Sequence, residues 1–194
     1  MELPSREVGD RRLPAGEFAD LRRRVARLAP AADLSCLVMC AFDHRTRMLP
    51  FIYADAFMAP AGPRAVAAAM VDAGIARTRL VLQQWNPRLR PSRARLDGRL
   101  PDLLLISALQ VHRARCQELI ADACRIPPKR RPLIIAGGPL MIYEPWAAFG
   151  ADASLHGSAD IAVTGEEVVL LTLLERLLSG RKGGERPRAT FARM

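Results

Sequence analysis

Three short runs carry residue types that could handle a ligand. Ser107-Ala108-Leu109 sets one hydroxyl beside an apolar side chain. Ala136-Gly137-Gly138-Pro139 omits two side chains in succession, so backbone there can approach a bulky molecule or adopt a positive φ. Thr164-Gly165-Glu166-Glu167 follows the same small-then-polar pattern, and Ala59-Pro60-Ala61-Gly62-Pro63-Arg64-Ala65 precedes a helical stretch. The chemistry open to such runs is holding and orienting a molecule, since none pairs a nucleophile with a base. Taken singly, each also fits an ordinary loop with no ligand.

The other reactive side chains are weaker candidates. Cys36 and Cys40 have the spacing of the first two thiolates of an iron–sulfur motif, but position 43 holds Asp43 where a third cysteine would stand. Both fall within an apolar run, four apart and so on one face of a strand, where small side chains fill a core. Cys116 and Cys124 read as buried or half-buried thiols of one helix. His44, His112 and His156 could each bind a metal, yet none has a second ligand at metal spacing, and packing or solvation is the plainer reading. Trp85, Tyr143 and Trp146 could stack on a ligand or simply pack. A phosphoacceptor domain needs an aspartate and a lysine where Ser107 and Thr164 stand. The Gly137-Gly138 turn is not the glycine fingerprint of dinucleotide binding.

These runs acquire meaning from the elements that must carry them. Leu34–Phe42, Arg79–Gln84, Asp102–Ser107, Leu133–Ala136 and Asp160–Val163 are short and mostly apolar, as strands covered on both faces should be. Helical patterns separate them at about Pro63–Ala73, His112–Arg125, Tyr143–Phe149 and Glu166–Leu178. Asn86–Arg99, with two prolines, reads as partly irregular. Pro63 suits a first helical turn, Gly74 and Gly150 suit left-handed helix ends, and Glu166 and Glu167 place charge at a positive helix terminus. Strands alternating with helices predict an α/β fold, a doubly wound five-stranded parallel sheet of flavodoxin-like, Rossmann-like order 2-1-3-4-5. In such folds ligands bind outside the carboxyl ends of the strands. The loops to watch are then Asp43–Gly62, Ser107–Val111, Gly137–Tyr143 and Thr164–Glu167, where the short runs fall.

The chain has 194 residues, half of them apolar, enough to bury a core without disulfides. Residues 1–33 form an extension with an amphipathic helix over Pro14–Leu28, residues 34–180 the α/β domain, and residues 181–194 a flexible tail or the start of a linker. No apolar run is long enough to span a bilayer, and Met1–Arg12 lacks the features of a leader, so a cytoplasmic protein with no membrane partner is expected. The net charge of +9 invites a nucleic-acid partner. Against it, only Lys129 and Lys182 among the cations are lysines, a bias that needs no partner. The basic run Arg77–Arg99 lacks interleaved aromatics beyond Trp85. A solvated face, a domain contact or an anionic ligand is preferred for it.

Taken together, the order and spacing of Ser-x-Leu, Ala-Gly-Gly-Pro and Thr-Gly-Glu-Glu after strands three, four and five resemble the cobalamin-binding domain of cobalamin-dependent radical SAM proteins. The resemblance covers residues 34 to 180 and is most specific from Asp102 to Leu178. It implies a corrinoid lying across the carboxyl ends of the strands. Ser107 and Leu109 would line the pocket of its nucleotide tail, and Gly137, Gly138 and Pro139 would let that tail pass. Gly165 with Glu166 would close the far side, while Pro60, Gly62 and Pro63 would shape the loop below the corrin.

Two departures qualify this. Methyltransferases and mutases carry Asp-x-His-x-x-Gly after the first strand, and here the chain reads Phe42-Asp43-His44-Arg45-Thr46-Arg47. His44 is a candidate cobalt ligand against the plainer reading of a loop histidine bonded to Asp43 or to water. The Cys-x-x-x-Cys-x-x-Cys motif is also missing, so no iron–sulfur cluster is expected in this chain, and the 4Fe-4S cluster and S-adenosylmethionine belong to a radical SAM catalytic domain in cis or trans. The expectation is a cobalamin module of a methyltransferase-type radical SAM enzyme, as a fragment or split subunit with no catalytic residues of its own. The alternative is a degenerate flavodoxin-like domain serving as a protein-interaction scaffold without corrinoid.

Overall fold

The computed structural model describes residues 14, 16–46, 57–149, 157–165 and 167–194. The path runs α1 (Glu17–Ala32), β1 (Ser35–Cys40), α2 (Ala61–Asp72), β2 (Arg77–Leu82), β3 (Leu103–Ser107), α3 (Arg113–Cys124), β4 (Leu133–Gly137), α4 (Pro139–Tyr143), β5 (Ile161–Ala162), α5 (Glu167–Gly180) and α6 (Pro187–Arg193). The strands pair in parallel in the order β2-β1-β3-β4-β5. This is the flavodoxin-like α/β fold expected from the alternation of elements.

Side chains alternate across each strand and so divide between two cores. Cys36, Val38, Leu103, Leu105, Leu133 and Ile135 face one layer, where they meet Leu21 and Val25 of α1, Met70 of α2 and Leu170, Leu174 and Leu177 of α5. Leu37, Met39, Leu104, Ile106 and Ile134 face the other, against Cys116, Leu119 and Ile120 of α3 and Leu140 and Met141 of α4. Every residue of β1 is buried, which is why the strand is apolar from Cys36 to Cys40, while the hydroxyl of Ser35 at its start donates to Asp102. Among the described residues no helix is long and apolar enough to cross a membrane.

Several boundaries move for identifiable reasons. Strand β2 begins and ends two residues earlier than expected, because Arg77 and Thr78 pair with Ser35 and Cys36, and the pairing ends at Leu82, after which Gln83 donates one last backbone bond to the Cys40 carbonyl. As an edge strand it tolerates that polar start. The helix α1 begins at Glu17, after Gly16 at φ 86, and passes through Pro30 to end at Asp33. The helix expected over Tyr143–Phe149 is instead two pieces. Pro139 starts α4 directly after the strand, and Pro145 forces Glu144 to φ −135 before a short 3-10 turn, Pro145–Ala148.

Residues 181–194 form a turn and α6 where a flexible tail or linker start was expected. Pro187 opens that helix, Thr190 is wholly buried, and Phe191 packs on the core of the α1/α5 layer. Arg186 pairs with Asp102 at 3.5 Å and Arg188 with Asp160 at 2.9 Å, fixing the segment to the amino ends of the strands. Gly74 takes φ 90 after α2, as a helix end requires. Gly150, His156 and Glu166 lie outside the described residues.

Candidate functional site

Parallel register sets the carboxyl ends of four strands abreast. Leu82 pairs with Cys40, Cys40 with Ser107, and Ser107 with Gly137, a row spanning about 14 Å at the usual strand spacing. Ser107 and Gly137 are therefore neighbours because of strand order, not of sequence distance. The next peptide brings the loops closer still: Ala108 donates its N–H to the Gly137 carbonyl at 3.3 Å, and Leu140 donates to the Ala108 carbonyl at 2.9 Å.

The two glycines of this turn have different jobs. Gly138 sits at φ 85 and ψ −179, and a Cβ there would stand 2.6 Å from Ser107 Oγ and 3.0 Å from the nitrogen and oxygen of Ala108. Its missing side chain is what lets the two loops touch. A Cβ on Gly137 would meet nothing nearer than the Val163 carbonyl at 3.9 Å, an ordinary contact, so a small side chain could be accommodated there. Gly165 is closed in its turn, since a Cβ would fall 2.6 Å from Cγ2 of Val169.

The structure thus unites Ser107, Gly137, Gly138 and Pro139. Leu109 lies just beyond, 49% exposed, and Gly165 ends the short loop after β5. Pro60, Gly62 and Pro63 open α2 at the same edge of the sheet, Pro60 preceding it at φ −57, Gly62 facing open space and Pro63 buried. Gln84 ties this loop to β2 by donating to the Met58 carbonyl at 2.8 Å. Large apolar side chains stand exposed along the edge: Phe57, Met58, Trp85, Leu109 and Val111. Beneath it, Leu140 and Met141 are fully buried in the core, while Trp146 remains 37% exposed.

The loop after β1 is held by a polar cluster. Asp43, itself buried, accepts the Arg45 amide at 3.0 Å and both of its carboxylate oxygens face the Arg45 guanidinium, at 2.8 Å from Nη2. The Asp43 amide donates to His112 Nδ1 at 3.2 Å. His44, the candidate cobalt ligand, instead turns its Nε2 toward the Gln83 carbonyl at 3.4 Å and stacks edge-on to Phe42. No group of three potential metal-ligating side chains occurs among the described residues. Burial pushes the thiol of Cys36 well up, Cys40 up to about 11 and Cys116 up to about 12, so these cysteines stay protonated near neutrality.

The Arg45 side chain holds the Asp43 carboxyl down to about 2. Arg193 does the same for Glu185, also down to about 2. Because both values lie below the ordinary carboxylate range, their stabilisation is present above that range and is lost as pH falls toward about 2. The thermal midpoint should therefore decline as pH is lowered from about 5 to 2, and Asp43→Asn should make that decline shallower. An unchanged slope in the variant would exclude this role for Asp43.

A second cluster was not anticipated from the sequence. Gln83, fully buried, accepts from Arg115 Nε at 3.0 Å and Nη2 at 2.5 Å and donates to the carbonyls of Asn86 and Leu89. Arg115 also donates to the Pro87 carbonyl at 2.6 Å and to Glu118 at 2.8 Å. Two glutamines directly after the apolar run Leu80-Val81-Leu82 were the available signal. A buried amide demands partners, and an arginine on the following helix is long enough to reach one.

The fold and the carboxyl-edge row define a flavodoxin-like α/β domain with a candidate ligand edge. Comparison with protein-family models, with curated proteins and with solved structures gives no match to this chain.

Proposed function

We propose that this domain holds a cobalamin across the carboxyl edge of its sheet, as the cobalamin module of a methyltransferase-type radical SAM enzyme whose catalytic domain acts in cis or in trans. The observation that carries the reading is the edge itself: Gly137, without a side chain, abreast of Ser107, with exposed apolar side chains on the neighbouring loops. A large ligand seated there would cover apolar surface that is otherwise costly to leave in water. In this reading Ser107, Leu109 and Gly137 receive the nucleotide tail, and Pro60, Gly62 and Pro63 meet the corrin from the α2 side. Gly138 holds the β3 and β4 loops together, and Gly165 with Glu166 bounds the far end. The bound corrinoid would supply the group-transfer chemistry, and the chain's own residues would bind and orient it.

One observation favours the other reading, a scaffold without corrinoid. Leu140 and Met141 are fully buried under the β4 loop, and the Ser107–Gly138 contact is closed. Titration of the purified chain with hydroxocobalamin and methylcobalamin, followed by their absorption bands, separates the two. Binding at micromolar Kd or tighter is expected, weakened roughly tenfold or more, about 1.4 kcal/mol, by Gly137→Phe and by Leu109→Glu. Leu109 is half exposed and a Cβ at Gly137 makes only an ordinary contact, and circular dichroism of each variant checks that it folds. A folded wild-type chain that binds neither corrinoid would leave the scaffold reading.

A further inference from the structure

A cavity of about 880 Å³ runs along α3, and Ser107, Gly137 and Gly138 are not among its lining residues. Helical spacing builds one wall. Arg113, Gln117, Ala121 and Arg125 follow one another every four residues, beside Ala114, Glu118 and Asp122, so both rows face the same way. Arg45, from the loop after β1, and Arg90, ahead of the 3-10 turn Pro91–Arg93, stand across from them. Ala114, Ala121, Ala147 and Ala148 are small and leave the space open.

The cavity lining sets four guanidinium groups, Arg45, Arg90, Arg113 and Arg125, against two carboxylates, Glu118 and Asp122. Those carboxylates are already engaged. Glu118 faces Arg115 at 2.8 Å, Arg45 at 3.4 Å and Arg90 at 3.9 Å, and Asp122 accepts the Ser92 amide at 2.8 Å. Arg113 pairs with Glu144 at 2.6 Å and Arg45 with Asp43 at 2.8 Å. Donor capacity is nonetheless left over. The Arg90 side chain is 36% exposed although its Nη1, 3.9 Å from Glu118, is shielded from water, and the exposed Arg125 has no carboxylate partner among the described residues.

The cations are also spread lengthwise. Arg113 and Arg125 sit at opposite ends of α3, about 18 Å apart along its axis, with Arg90 and Arg45 beside Glu118 between them. A volume of this size lies within the usual range of small-ligand sites. Planar guanidinium forks match the oxygens of phosphoryl groups, and a chain of such groups would meet successive arginines. We propose that this cavity binds a small oligophosphate, free or as the triphosphate of a nucleotide, at a site that shares no residue with the Ser107–Gly137 row. The Arg77–Arg99 basic run then contributes through Arg90, and the proposal stands whether or not the sheet edge takes a corrinoid.

Calorimetric titration of the full chain with sodium tripolyphosphate, with ATP and with citrate tests this at low ionic strength. Saturable one-to-one binding of tripolyphosphate is expected, tighter than that of citrate. Comparable ATP binding would assign a nucleotide source, and tripolyphosphate binding without ATP a free one. Arg125→Gln and Arg90→Gln should each weaken it about tenfold, as expected for a lost charged hydrogen bond, while Arg79→Gln, outside the cavity, should leave it unchanged. Arg125 is exposed, so its variant keeps the fold even if Arg90→Gln proves unstable. No saturable binding, equal weakening by Arg79→Gln, equal affinity for citrate, or binding of poly-glutamate but not tripolyphosphate would overturn the assignment.

Discussion

Gly138→Ala is expected to destabilise the protein by about 3 kcal/mol or more, whereas Gly137→Ala, one residue earlier, should change stability by less than about 1 kcal/mol. The contrast is informative because the two residues look interchangeable in the chain. At φ 85 and ψ −179 Gly138 occupies backbone space that residues with a Cβ scarcely enter, and the added methyl would press on Ser107 Oγ and the Ala108 peptide. Backbone on that side is pinned by the Leu140 to Ala108 hydrogen bond, so the loop has little freedom to yield. Gly137 ends β4, where an added Cβ would make only an ordinary contact. Urea unfolding of both variants measures the difference, and equal stabilities would show that the loops accommodate a side chain at Gly138.

The second large effect concerns the buried amide at the end of β2. Arg115→Met removes both donors to Gln83 Oε1 and the donor to the Pro87 carbonyl, leaving acceptors stranded away from water. A loss of about 3 kcal/mol is expected, in the range for breaking a buried charged network from one side. The mechanism has its own test. Adding Gln83→Leu to Arg115→Met removes the stranded acceptor, so the double variant should be less damaged than the two single losses together predict. Strict additivity would mean that Arg115 stabilises through packing of its stem alone.

What could be read from the chain followed from periodicity. Strands β1, β3 and β4 are apolar on both faces, and a parallel sheet is the arrangement that hides both. Their order then determined which loops share an edge, so Ser107 and Gly137 could be placed together without coordinates. The edge strand β2 slipped by two residues because at the end of the sheet its first residues are only partly buried, which does not penalise Arg77 and Thr78. Proline chemistry divided the expected Tyr143–Phe149 helix, and Pro139 moved its start against the strand. The terminal segment was misread because its glycines and charges look like a linker, while its anchors, Asp102 and Asp160, are far away in sequence. The Gln83–Arg115 cluster and the arginine-lined cavity depend on pairs distant in the chain, which local pattern does not register.

The docking of α6 has a practical side. Arg186 and Arg188 fasten it next to the residues that precede β3 and β5, and Met194 returns to lie 3.8 Å from where a Gly180 side chain would begin. Four residue steps of β3, about 13 Å, therefore stand between Leu103, next to the Arg186–Asp102 anchor, and Ser107 in the carboxyl-edge row. A tether attached after Met194 would present the domain to a sensor surface with its ligand edge pointing into solution. The same tether inserted near Gly62 would bury that edge against the surface, so the point of attachment decides which face an immobilised sample offers.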